Sequence, residues 1–296
     1  MEHMGAGAMS SQPATMPSSQ WLSREMRVLL FAAGVLVFLA GVQLFVFSER
    51  TEEFFAWTID PSATAAFLGA GYWAAVAVEW LAATETRWER ARVAVPAVFV
   101  FTTLTLIATL IHIDIFHFDA PKFSTRAVTW VWLGVYAVVP VVMGALWWRQ
   151  ASRDHADPGR FAPLPEWTRA VLGVYGVTLL TIGGFLFVLP LPTAESLWPW
   201  ELAELSARAV GAWLISMGVL TIHALIEDDW VRLRPAAGGL LLLGAFQLLA
   251  MVRYRFEFDW GAGRTWVYVL GLVGLFILGI YCWLRVEFYR YASAHR

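Results

Sequence analysis

The chain has 296 residues, of which 59% are hydrophobic and 15% charged, and its net charge is −2. That composition excludes an ordinary soluble domain, and with no clustered basic face nothing points to nucleic acid as a partner. The single cysteine, Cys282, excludes an intramolecular disulfide, a CxxC redox pair and a cysteine-rich metal site.

Residues 1–20 are rich in Ser, Ala, Gly and Pro without periodicity, and a disordered cytoplasmic tail is predicted over 1–26. Eight apolar runs follow, each about 20 residues long, enough for a helix to cross a ~30 Å hydrocarbon core. They lie at Val28–Phe47, Ser62–Ala83, Val93–Ile113, Ala127–Trp148, Ala170–Pro190, Ser206–Ile226, Ala236–Tyr254 and Thr265–Leu284. The segment between the fourth and fifth runs carries Arg, Asp, Pro and Gly and reads as a joint.

The chain states its plan twice. Arg27, Gly34, Gly41 and Phe45 recur 142 positions later as Arg169, Gly176, Gly183 and Phe187. At the same displacement, Ala65, Gly69, Ala70, Glu85, Trp88, Arg90 and Arg92 answer Ala207, Gly211, Ala212, Glu227, Trp230, Arg232 and Arg234. Later the match returns at a shorter offset: Phe116, Phe118 and Asp119 answer Phe256, Phe258 and Asp259, and Thr129-Trp130 answers Thr265-Trp266. Because the first run has such a counterpart, it is expected to be retained rather than cleaved as a signal sequence. The predicted organisation is an all-α integral membrane protein of eight transmembrane helices, with four-helix repeats at 27–149 and 169–285. A linker at 150–168 joins them, and a tail at 286–296 ends the chain. An even number of spans per repeat gives both the same orientation, related by a pseudo-two-fold axis along the membrane normal.

Basic residues set the orientation. Segments on the side of the N-terminus hold fourteen Arg, and those on the other side hold six Lys and Arg, which predicts cytoplasmic termini. Trp57 and Trp200 fall near the outer ends of spans and Trp88 and Trp230 near the inner ends, where interfacial indoles settle. With Arg90, Arg92, Arg232 and Arg234 these tryptophans are predicted to anchor the chain at the two interfaces.

Few residues carry chemistry. His112, Asp114, His117 and Asp119 crowd one short stretch, and the set His112, His117 and Asp119 suits a divalent metal, while His112 and Asp114 suit a proton relay. The same residues also make an ordinary polar exit from a helix, and five-residue spacing keeps His112 and His117 off a shared face. This connector and its counterpart Arg253–Asp259 read either as extended ribbons with alternating aromatics or as continuations of their helices. Glu79 and His223 are ionisable groups just inside spans, where charge is costly, and are the remaining substrate or proton candidates. Thr102, Thr103, Thr105 and Thr109 are expected to bond back to their own helix. Gly34, Gly41, Gly69, Gly183, Gly184 and Gly211 are expected at close helix approaches, with Gly69 to Gly71 and Gly211-Ala212 at the interface between the halves. No hydrolase, zincin, P-loop or dinucleotide motif stands in a credible context, and nothing indicates a nucleotide, haem or iron–sulfur cofactor. None of these residues forms a catalytic signature.

The run Phe55-Ala56-Trp57-Thr58-Ile59-Asp60-Pro61, continued by Ala65 to Trp73, resembles that of a group of uncharacterised bacterial multi-pass membrane proteins. The resemblance covers the second span and its approach; it implies a bacterial inner membrane and no function. Two functional classes follow from the residues. The first is transport or channel-like passage of a small, weakly polar solute between the two halves. The second is a non-transporting protein that binds a lipid or quinone at the outer aromatic and acidic face, as an enzyme or a partner subunit. Expected partners are membrane lipids, a small solute, and a second copy or another subunit.

Overall fold

The computed structural model describes residues 20–153 and 157–295. Most of the predicted N-terminal tail, part of the linker and Arg296 lie outside the described residues. Eleven α-helices run in order: α1 Arg24–Gly41, α2 Thr51–Phe54, α3 Ser62–Thr84, α4 Trp88–Ala91, α5 Val95–Ile111, α6 Phe123–Ala151, α7 Glu166–Val188, α8 Pro190–Leu197, α9 Glu204–Glu227, α10 Arg234–Arg253 and α11 Gly263–Ala294. No strand occurs among the described residues, apart from an isolated antiparallel bridge between Trp21 and Arg87. Among the described residues seven helices are long and apolar enough to cross a membrane, the first being α1 with its π-helical extension Val42–Val46. The chain is a polytopic, all-helical membrane protein.

The third predicted span, α5, is an apolar helix of 17 residues, shorter than the seven. Its expected start at Val93 falls in the turn at 92–94 that follows the short helix α4, Pro96 stands in its first helical turn, and it stops where His112 leaves helical geometry. Beyond it neither predicted connector form is realised. Ile113–Ile115 and Arg255–Glu257 are single 3-10 turns, followed by irregular chain through Asp119 and Asp259. The predicted tail at 286–296 is helical as far as Ala294, because α11 continues past its apolar stretch.

Local signals set the helix ends. Ser23 caps α1 by accepting from Met26 N, and Pro61 and Pro165 precede α3 and α7. Pro235 opens α10, where a missing N–H costs nothing. At the end of α9, Asp228 takes the left-handed conformation (φ 43°), which Asp tolerates better than most residues.

Packing follows a rule that the order of the chain hides. Helices α1 and α3 pack together, as do α7 and α9. Their glycines face equivalent neighbours: Gly34 meets Trp80 and Gly41 meets Trp73, while Gly176 meets Ile222 and Gly183 meets Ile215. Gly69 lies on the Leu44–Phe45 backbone, and Gly211 on the Leu186–Phe187 backbone and the Gly183 carbonyl. Apart from the Gly183 carbonyl, each of these partners is displaced by 142 residues. Gly69 and Gly211 therefore pack inside their own half; of the glycines expected between the halves only Gly71, against Trp213, faces the other, and Gly184 has open space.

The next partners cross over. Helix α3 packs on α10, and α9 packs on α5. Gly238 and Gly239 of α10 take Leu81 and Val78 of α3, and Gln247 Nε2 donates to the Phe67 carbonyl (3.0 Å). On the other side Ser216 Oγ donates to the Ala97 carbonyl (2.9 Å), and Trp213 lies on Phe101 with centroids 3.9 Å apart. Two rows result, α1-α3-α10-α11 and α7-α9-α5-α6, each mixing both halves of the sequence. The apolar stretch of α3 is 72% buried against 22% for α7, so α3 is central and α7 faces the surroundings.

Candidate functional site

An apolar cavity of about 390 Å³ lies between α7, α9, α10 and α11, with Phe67 of α3 at its back. Leu214, Leu243, Leu272 and Leu275 line it, together with the polar groups of Gln247 and Tyr268. Its mouth is formed by Thr178 of α7 and by Val267 and Gly271 of α11, all exposed. Tyr175 Oη bridges the two helices by donating to the Gly271 carbonyl (3.1 Å). Trp198, Pro199 and Arg264 close the end furthest from the chain termini, and the same three residues line an open vestibule of about 990 Å³ beyond it.

Comparison of the two halves explains the cavity. In the first half the equivalent place is filled by Trp57, Tyr72, Trp132 and Tyr136, and only about 10 Å³ is left. There Tyr72 and Tyr136 join hydroxyls at 2.6 Å, and Trp132 Nε1 donates to Thr109 Oγ1 (3.0 Å). At the displacements of the repeat these four residues become Pro199, Leu214, Tyr268 and Leu272 in the second half. Each exchange removes atoms, and all four smaller residues line the larger cavity.

The vestibule is acidic. Its wall carries Asp60, Glu195, Glu201, Glu257 and Asp259 against the single cation Arg264. Glu257 accepts from Ala63 N (2.8 Å) and so caps α3, and Asp259 accepts from Gly261 N (3.0 Å). Arg264 Nη1 donates to the Glu195 carbonyl (2.6 Å). Trp200 is held by its N–H on Thr64 Oγ1 (2.8 Å), whereas the Trp198 indole N–H, in a side chain 5% exposed, has no acceptor.

At the opposite end the duplicated loops meet each other. Each copy's glutamate faces the second arginine of the other copy. Glu227 takes Arg92 through two hydrogen bonds (2.5 and 2.8 Å), and Glu85 lies 3.9 Å from Arg234. Arg232 adds a bond to Glu227 (3.1 Å), and Asp157 bridges Arg92 and Arg232. Arg290 of α11 stands 2.8 Å from Glu85, and Glu287 accepts from Arg234 (3.1 Å). Arg90 adds its field to Glu85. Burial pushes the Glu85 carboxyl above its ordinary value, against the pull of Arg290, Arg90 and Arg234. Arg92 loses hydration on burial, but its bonds to Glu227 and Asp157 outweigh that loss and raise its pKa.

The predicted site residues are scattered. Trp57, Trp88, Trp200 and Trp230 are buried in protein, so their indoles hold helices together and do not sit in a lipid interface. Arg92, Arg232 and Arg234 are bound up in the ion pairs just described. Among the described residues no three His, Cys, Asp or Glu are gathered for a metal, and His112, His117 and Asp119 are apart. His117 is engaged through Nδ1 by the Phe55 carbonyl and through Nε2 by Thr58 Oγ1, both at 3.1 Å. His112 Nε2 contacts Arg208 (2.7 Å), which also binds Glu204, and Asp114 and Asp119 are exposed. Glu79 is buried, with Oε2 unbonded. His223, at the end of α9 nearer the termini, stands 3.5 Å from Glu227. Thr102, Thr103 and Thr109 bond to carbonyls of their own helix. Trp198, Pro199, Arg264 and Tyr268 escaped the residue-by-residue reading; the exchange of Trp57 for Pro199 is the signal that finds them. Comparison with known protein families, characterised proteins and solved structures gives no match for this chain.

Proposed function

We propose that this protein binds an amphipathic, lipid-like molecule in the cleft between α7 and α11, its apolar part inside and its polar end in the vestibule. The observation that carries this is an apolar cavity whose mouth lies on membrane-crossing helices and whose far end meets a polar chamber. Mostly apolar walls with a few placed polar groups are the usual form of a small-molecule site. Passage of a solute between the halves has less support. The halves interlock through α3 on α10 and α9 on α5, and their small residues are in close contact.

The wider reading has its own supports. Eight spans in two same-orientation repeats are favoured by the 142-residue displacement of the glycine contacts. Helix α5 rises ~25 Å at 1.5 Å per residue and needs only its flanking turns to complete a crossing. A bacterial inner membrane with cytoplasmic termini belongs to the same proposal, through the resemblance and the distribution of Arg.

The test is native mass spectrometry of protein purified in mild detergent, comparing wild type with Gly271→Trp. A Cβ at Gly271, which lines the mouth, meets nothing within 4 Å, so the added side chain starts from open space there. Stoichiometric bound lipid in the wild type and its loss in the variant are expected; equal occupancy in both overturns the reading.

A further inference from the structure

The chemistry of the walls changes in order along the site. The cleft is apolar, and at its end stand Trp198 and Arg264, which line both chambers; the Trp198 indole N–H is buried and has no acceptor. Arg264 spends one of its five N–H groups on the Glu195 carbonyl. Beyond them the vestibule turns acidic. Of its five carboxylates, Glu257 and Asp259 are committed to backbone N–H groups, whereas those of Asp60, Glu195 and Glu201 are exposed and without a partner among the described residues.

A buried indole N–H without an acceptor has lost its bond to water and gains most from a ligand oxygen. A guanidinium beside it favours a phosphate, which it can bind through two N–H groups. Three unpaired carboxylates in a concave wall raise the local concentration of cations. Trp198 and Trp200, with ring centroids 5.1 Å apart and planes inclined at 71°, line the same wall, and indole rings suit an ammonium. From the membrane outwards the site therefore asks for hydrocarbon, then an anionic oxygen, then a cation.

Building on the lipid-binding reading, we propose that the ligand is a phospholipid with an amine-bearing, zwitterionic headgroup. An acyl chain lies in the cleft, the phosphate meets Trp198 Nε1 and Arg264, and the ammonium lies among Asp60, Glu195 and Glu201. A phospholipid with an anionic headgroup and no amine meets the same donors but then faces the carboxylates with like charge.

The experiment supplies delipidated protein with an equimolar mixture of phosphatidylethanolamine and phosphatidylglycerol of identical acyl chains, and counts both on the protein by native mass spectrometry. The wild type is expected to retain at least fivefold more phosphatidylethanolamine. Glu195→Gln/Glu201→Gln lowers that ratio at least threefold without lowering total lipid, and Arg264→Gln lowers both lipids together. Equal retention by the wild type, a preference for phosphatidylglycerol, or a ratio unchanged in the double variant overturns the headgroup assignment. The cleft itself then still stands if Gly271→Trp empties it. If Gly271→Trp leaves total lipid unchanged, the cleft reading falls as well.

Discussion

Removing the charge of Glu227 tests whether the two duplicated loops clamp the halves together. In Glu227→Gln the amide still fills the space, but Arg92 and Arg232 lose the carboxylate that both hold. Glu227 is 1% exposed and Arg232 4%, and removing one partner of a buried pair costs about 3–5 kcal/mol. Two features lower that figure. Arg92 is 20% exposed and recovers some hydration, and Asp157 stays in contact with both arginines. The remaining loss is about 2–3 kcal/mol. At ~2 °C per kcal/mol for a chain of this size, the unfolding midpoint in detergent falls by about 4–6 °C. Tryptophan fluorescence follows it, because Trp88 and Trp230 are buried beside the clamp. Arg92→Gln shows a similar drop, and Arg92→Gln/Glu227→Gln loses at least ~1 kcal/mol less than the sum of the two. Arg234→Gln, whose partners stand at 3.9 Å or are 43% exposed, costs less than about 1 kcal/mol. A midpoint unchanged within 1 °C in Glu227→Gln would refute the clamp.

Three further outcomes follow from the same geometry. The raised pKa of Glu85 means that protonation favours the folded state. Its contribution is full below the ordinary value of 4.5 and is lost as pH rises through the folded-state value, so Glu85→Gln flattens the pH dependence of the midpoint above pH 4.5. If the slope in Glu85→Gln equals that of wild type, the assignment is wrong. At Gly211 a methyl group would stand 2.7 Å from the Gly183 carbonyl and 2.9 Å from Phe187 N, where ordinary contact begins at 3.4 Å. Helices α7 and α9 must then part, and Gly211→Ala costs about 1–3 kcal/mol in the same melt. Leu214→Tyr/Leu272→Tyr rebuilds in the second half the hydroxyl pair of Tyr72 and Tyr136, closes the cleft and abolishes bound lipid in native mass spectra. Lipid retained by that variant at wild-type occupancy would show that the cleft is not the site.

The helices were legible because hydrocarbon leaves the backbone no other way to satisfy itself, and an apolar run of sufficient length is enough to announce one. The glycines Gly34, Gly41, Gly69 and Gly211 were legible as close approaches for the same reason: only a small residue lets two backbones meet. What they meet was not. A repeat shows which residues correspond but not which copies touch, so Gly69 and Gly211 were expected between the halves and lie within them. The tryptophans misled because an indole suits a bilayer interface and a helix junction equally, and Trp88 and Trp230 occupy the second. The cavity is invisible to any search for reactive side chains, since it consists of missing atoms. It shows only as a difference between aligned copies, with Pro199 standing where the first half has Trp57.

The crossed pairing of helices also places a demand on synthesis. Helix α3 ends at Thr84, and its partner α10 begins at Arg234, 150 residues later. At 5–20 residues per second the ribosome needs on the order of ten seconds or more to supply it. Through that interval the face of α3 that will receive Gly238 and Gly239 is open to lipid or to whatever holds nascent helices in the membrane. Neither half expressed alone contains a complete row. The two halves supplied as separate chains have every helix they need, and α3 and α9 must then find their partners across the membrane plane.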